Sequence, residues 1–220
     1  MSDLDLDFAM PQPLRSWTPM VFANTSLNDR PELGIYIGRI AAIWSDIEVN
    51  MGLLLADILN TEARTGVAMY LALSGSAAQD KTLIAAADIC VPEMSGEVSD
   101  LTIEVRRRAA ERNRVVHALW AAPFLLPDIL VNCPPDNIIQ HVATSYKEHS
   151  DPNAVFKTQP NPSFVEKLRS YKKQDFEDII QRVLILRQKI SVLGDQVRAF
   201  QRAKAALASA QEQTPRTRQR

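Results

Sequence analysis

Glycine, cysteine, histidine and aromatic residues are all scarce in this chain. Seven glycines in 220 residues and 6% aromatics supply too few turn formers and rings for a turn-rich β-sandwich. Only two cysteines occur, Cys90 and Cys133. Both sit among apolar neighbours without CxxC spacing, which reads as buried free thiols rather than a redox or metal pair. Of the three histidines, His141 and His149 lie eight positions apart, so a zinc site with Asp136 or Asp151 is not expected. Cys133 with His141 lacks the third, orienting residue that an activated thiol needs. No apolar run approaches the roughly 20 residues that span a bilayer, and the acidic start (Asp3, Asp5, Asp7) has no basic-then-apolar leader pattern. A cytoplasmic location is therefore expected. There is no internal repeat and no glycine loop to cradle phosphates, and no cofactor or metal is expected.

What is present favours helix. The chain is 46% apolar, enough for one substantial core, and is rich in Ala, Leu, Ile, Arg, Gln and Glu. Apolar residues recur every three or four positions from Leu33 to Leu59 (Ile40, Ile43, Trp44, Ile47, Met51, Leu54, Leu55, Ile58), predicting a long amphipathic helix. A shorter helix follows from Glu62 through Leu71, and another from Ala77 to Cys90, closed by Val91-Pro92. A fourth runs from Glu97 to Trp120, and a last long one from Lys173 to Ser209 places Phe176, Ile179, Ile180, Val183, Leu184, Leu186, Ile190, Leu193, Val197 and Phe200 on an inner face. The fold class expected is all-α.

Three segments stand apart. Residues 1–31, with Pro11, Pro13, Pro19 and Pro31, read as an extended arm pinned by Trp17, Val21 and Phe22. Residues 121–165 read as a small insertion, irregular or a short β-hairpin formed by two candidate strands, Asp128 to Asn132 and Ala154 to Thr158. Residues 209–220 read as a disordered basic tail carrying Arg216, Arg218 and Arg220. The helical domain proper would occupy 32–208. The formal net charge of −1 does not advertise a nucleic-acid binder, but charge is uneven: Lys167, Arg169, Lys172, Lys173, Arg182, Arg187, Lys189, Arg198, Arg202 and Lys204 outnumber the acids of the late helix.

The informative stretch is Arg112-Asn113-Arg114-Val115-Val116-His117. A guanidinium offers a fixed fork of donors that matches phosphate oxygens, and an imidazole can take and give a proton near neutral pH. RNA cleaves itself when its 2′-hydroxyl attacks the adjacent phosphorus, so a catalyst need only move protons and stabilise charge. His117 would serve as general base or acid, and Arg112 would neutralise the non-bridging oxygens. Glu48, beside the inner stripe of the first helix, could pair with Arg112 or orient His117. Arg108, one turn before Arg112, and Trp120, three residues past His117, are further candidates for the cleft. In the bland reading, Arg106, Arg107, Arg108, Arg112 and Arg114 with Glu104 and Glu111 form a solvated charged face, and Trp44 and Trp120 are core packing.

The pattern of Arg112, Asn113, three free positions and His117 near the end of a helix resembles the R-[N/D/H]-x-x-x-H signature of the HEPN family, over roughly residues 33 to 120 plus a late helix. The resemblance implies an all-helical HEPN-like bundle and a metal-independent endoribonuclease. In that family two motifs face each other across a homodimer. It also implies that Asn113 holds the imidazole or a phosphate oxygen, and that the protein is a toxin or antiviral defence effector with RNA as target and an antitoxin or inhibitor protein as partner. The competing reading is a non-catalytic HEPN-like module that binds RNA, a nucleotide or a protein. Ideal helix geometry adds an argument for the dimer: residues five apart point about 140° apart and lie about 7.5 Å apart along the axis, so Arg112 of one copy would meet His117 of another.

Overall fold

The computed structural model describes residues 11–14, 20, 22–150 and 162–212. The expectations for Trp17, Val21, the 154–158 strand and the tail beyond 212 fall outside the described residues. The protein is mostly helical, with helices α1 (Pro31–Leu59), α2 (Ala63–Ala72), α3 (Ser76–Cys90), α4 (Ser95–Val116), α5 (Pro135–Ser150), α6 (Pro162–Val165) and α7 (Lys173–Glu212). Four short strands, β1 (Gln12–Pro13), β2 (Leu119–Ala121), β3 (Leu130–Cys133) and β4 (Arg169–Tyr171), form one antiparallel sheet in the order β1-β4-β3-β2. No helix among the described residues is long and apolar enough to cross a membrane. Contacts group the chain into two compact units, Met1–Ile43 with Ala109–Arg182, and Trp44–Arg108 with Val183–Arg220.

The second unit is helical. Its part of α1 ends at Asn60, whose φ of 49° is left-handed. The Asn60 N–H then donates to Asp57 O (3.2 Å) and the Thr61 N–H to Ala56 O (3.0 Å). This is the paired closure that satisfies the last carbonyls of a helix, and asparagine tolerates the φ it requires. Helices α1 and α2 come so close that a Cβ on Gly52 would lie 2.7 Å from Val67 Cα, and one on Gly66 would lie 2.6 Å from Ala56 Cα and N and collide with its Cβ. Alanine is the better helix former by about 1 kcal/mol, yet its methyl would have to displace backbone. Gly66→Ala is therefore expected to destabilise the protein by about 1–3 kcal/mol, read as a lower urea midpoint.

Polar ties complete that unit. The buried Asp80 of α3 accepts from Arg106 Nε (3.0 Å) and Nη2 (2.5 Å) of α4. Glu104 accepts from Lys189 (2.7 Å), and Arg198 bridges Asp57 and Asp195. Burial holds the Asp57 carboxyl above its ordinary pKa despite Arg198. Arg106 and Glu104 are thus partners of other helices rather than members of a uniformly solvated face.

In the first unit the sheet has two faces. One packs Ala121, Val131 and Cys133 with Leu14, Ile129, Phe164 and Leu168. Directly opposed residues on neighbouring strands share a face, and Trp120, Asn132 and Arg169 form such a row across β2, β3 and β4. Tyr171 lies on that same face, two residues from Arg169. Its ring packs with Trp120 (centroids 5.2 Å) and Phe176 (5.3 Å), and Tyr36 stacks on Phe176 (5.9 Å). The N-terminal residues contribute β1 and a bridge from Phe22 to Ala121, so the expected arm is partly woven into the sheet. At the start of α7, Asp175 reaches back to accept the Lys172 N–H (2.7 Å), half of a capping box.

Candidate functional site

Helix α4 stops at Val116, four residues short of the Trp120 end expected from the sequence, because Leu119–Ala121 leaves the helix to pair with β3. Three side-chain or backbone donors satisfy its last carbonyls. The His117 N–H donates to Asn113 O (3.1 Å), Asn132 Nδ2 to Arg114 O (2.6 Å) and Trp120 Nε1 to Val115 O (3.2 Å). Trp120 is buried at 5% exposure and serves as a clamp and a core ring rather than a cleft-lining stacker. Asn132, buried in β3, is the other clamp. Asn132→Leu would leave a carbonyl at the end of α4 without this donor, and a loss of about 1–3 kcal/mol is expected in a chemical denaturation curve.

The motif closes on itself within one chain. Arg112 Nη1 donates to Asn113 Oδ1 (2.8 Å) and lies 3.2 Å from His117 Nε2. Ideal-helix geometry misses this for two reasons: His117 has already left the helix, and an extended arginine side chain spans the remaining axial distance. The juxtaposition that seemed to require a second copy needs none. A guanidinium only donates, so this contact is a hydrogen bond when Nε2 carries no proton, which puts the ring proton on Nδ1. Arg112 Nε is buried without a hydrogen-bond partner among the described residues, while His117 and Asn113 are exposed.

Asn113 and His117 open onto a cavity of about 430 Å³ whose walls include Arg114, Asn132, Lys167, Arg169, Tyr171 and Arg182. Among its described lining residues the only acid is Glu111, and it accepts from Arg182 Nε (3.1 Å) in a pair that is buried on both sides. Glu111 is therefore not part of a solvated face. Arg114 and Lys167 are exposed and make no ion pair among the described residues. Arg169 is anchored through Nη1 to Glu166 O (2.6 Å) and Leu168 O (3.0 Å). Burial pushes the Tyr171 phenol up to about 12, keeping it a neutral donor. Among the described residues, a chain of net charge −1 thus gathers four basic side chains against one carboxylate around a single cleft, a focus of positive potential suited to an anion.

Several other candidates have contacts of their own. Glu48 accepts the indole N–H of Trp44 (3.1 Å) within α1, and it belongs with Arg108 to the second unit. His141 stacks on Phe164 (centroids 4.3 Å). Burial raises the Cys133 thiol to about 11, so it is a poor nucleophile near neutrality. The basic wall formed by Lys167, Arg169 and Arg182 was visible in the sequence only as a late excess of positive charge. A scan against protein-family models, a search of curated proteins and a search of solved structures each found no match for this chain.

Proposed function

We propose that the protein is a metal-independent endoribonuclease of HEPN type. The observation that carries this reading is the joining of Arg112 to Asn113 and His117, two residues that line a cleft with cations in its walls. In the reaction, His117 accepts the proton of the RNA 2′-hydroxyl as that oxygen attacks the neighbouring phosphorus. The bond from phosphorus to the 5′-oxygen breaks, the leaving oxygen takes a proton from a protonated side chain or water, and a 2′,3′-cyclic phosphate remains. Arg112 turns from the imidazole to the non-bridging oxygens as their charge grows. Because the nucleophile belongs to the substrate, the chemistry does not require a metal-activated water. A homodimer, an antitoxin or inhibitor protein, and a role in growth restraint or defence belong to the proposal through the resemblance alone. The test is incubation of the full chain with RNA in excess chelator, scored for cyclic-phosphate ends.

One observation favours the second reading, a module that binds RNA or a nucleotide without cutting it. Arg112 already occupies the His117 nitrogen a base would use, and a motif closed on itself in this way suits a fixed binding surface. Saturable RNA binding with no products at any pH would decide for this reading.

A further inference from the structure

The cleft extends beyond the motif, and its far wall has a chemistry of its own. Arg169 lies opposite Asn132 in the sheet, on the same face and about 5 Å away at the backbone, and Asn132 holds the end of the motif helix at Arg114 O. The β4 wall is thereby fixed to the motif through one strand pairing and one hydrogen bond. Lys167, two residues before Arg169, is exposed and without an acid partner among the described residues. Arg114 faces the same cavity from α4. Like charges gathered around a cavity repel one another, and a bound anion relieves that repulsion. Glu111, the one carboxylate among the described residues that line the cavity, is already engaged by Arg182. What the motif itself can hold is one phosphodiester, so this second group of cations has no role in a single-phosphate reaction.

The geometry points to a second phosphate subsite formed by Lys167, Arg169 and Arg114, which holds the phosphodiester next to the one being cut. The inference rests on the nuclease reading and deepens it: the substrate is an RNA strand with at least two consecutive phosphates, and a dinucleoside monophosphate is a poor substrate. The anchored Nη1 of Arg169 gives the subsite a rigid member, and Lys167 supplies a mobile one.

The experiment compares kcat/KM of the full chain on a dinucleoside monophosphate and on an oligonucleotide with the same scissile step. Parent protein should favour the oligonucleotide at least tenfold. Lys167→Ala, at an exposed position that leaves the sheet intact, should shrink that preference severalfold, and Lys167→Ala with Arg169→Ala should abolish it. Equal loss on both substrates, or an unchanged preference, overturns the subsite while leaving the nuclease reading intact. Because Arg169→Ala also removes bonds within the fold, the single Lys167→Ala variant decides the matter if the double variant fails to fold. A second arm uses His117→Ala protein and measures labelled oligonucleotide binding against salt. Each lost phosphate contact should lower the log–log slope by about 0.7. If no RNA is cut by any form, the nuclease reading fails. The subsite then survives if Lys167→Ala lowers that slope and is overturned if it does not.

Discussion

Replacing His117 with alanine is expected to cut RNA cleavage by about 10²–10⁴-fold, the range for removing a positioned general acid or base. The variant should fold normally. The imidazole is exposed, and its backbone N–H, which closes the end of α4 on Asn113 O, is retained in alanine. Arg112 keeps its bond to Asn113 Oδ1, so the guanidinium proposed to bind phosphate remains oriented and RNA affinity should change little. Loss of turnover with preserved binding is the signature of a proton-transfer group. Cleavage by His117→Ala at the parental rate in chelator would remove the imidazole from the mechanism and, with it, the main argument for a nuclease.

The largest expected effect on stability is at Glu111. Its carboxylate and the Arg182 guanidinium are both almost fully buried, 3.1 Å apart. Taking either charge away removes the buried ion-pair partner of the other, which costs about 3–5 kcal/mol. Against a typical domain stability of about 5–15 kcal/mol that is a large fraction, and Glu111→Ala should unfold at a markedly lower denaturant concentration. Removing both charges together is different. Glu111→Leu combined with Arg182→Met replaces the pair by apolar groups of similar length, and it should recover most of the loss. Recovery in the double variant separates a true charge-pair effect from a simple packing defect, which would worsen with the second substitution.

These two sites differ in how they could be read from the amino-acid order. His117 belongs to a local pattern whose spacing is itself the signal. Glu111 and Arg182 are 71 residues apart, and each looked like one more exposed charge. The same division runs through the fold. Helices α1, α2, α3 and α7 were legible because their buried faces repeat every three to four residues, and their observed bounds lie within three residues of those expected. Helix α4 was read four residues too far because Leu119 and Trp120 continue an apolar stripe. Their departure is set by pairing with β3, a non-local event with no local marker. Helix α5 was missed altogether. In sequence its residues fall in the stretch 121–165 that reads as irregular, yet a proline in the first helical position is a start signal, and Pro135 opens the helix. One strand was anticipated at Asp128 to Asn132 and is found at Leu130–Cys133; β1 and β4, at two and three residues, carry no periodicity to read. The cleft walls were illegible for the same reason, since Lys167 and Arg169 reach the motif only through the sheet.

The walls of that cleft are drawn from positions as distant as Pro11 and Arg182, and this spread has a consequence for synthesis. A ribosome completes the Arg112–His117 segment well before it makes β4 and the start of α7. Until those later residues emerge, the motif helix has no β4 wall beside it and no Arg182 for Glu111. If the protein cuts RNA, the unfinished polypeptide has no assembled groove with which to attack the message that encodes it.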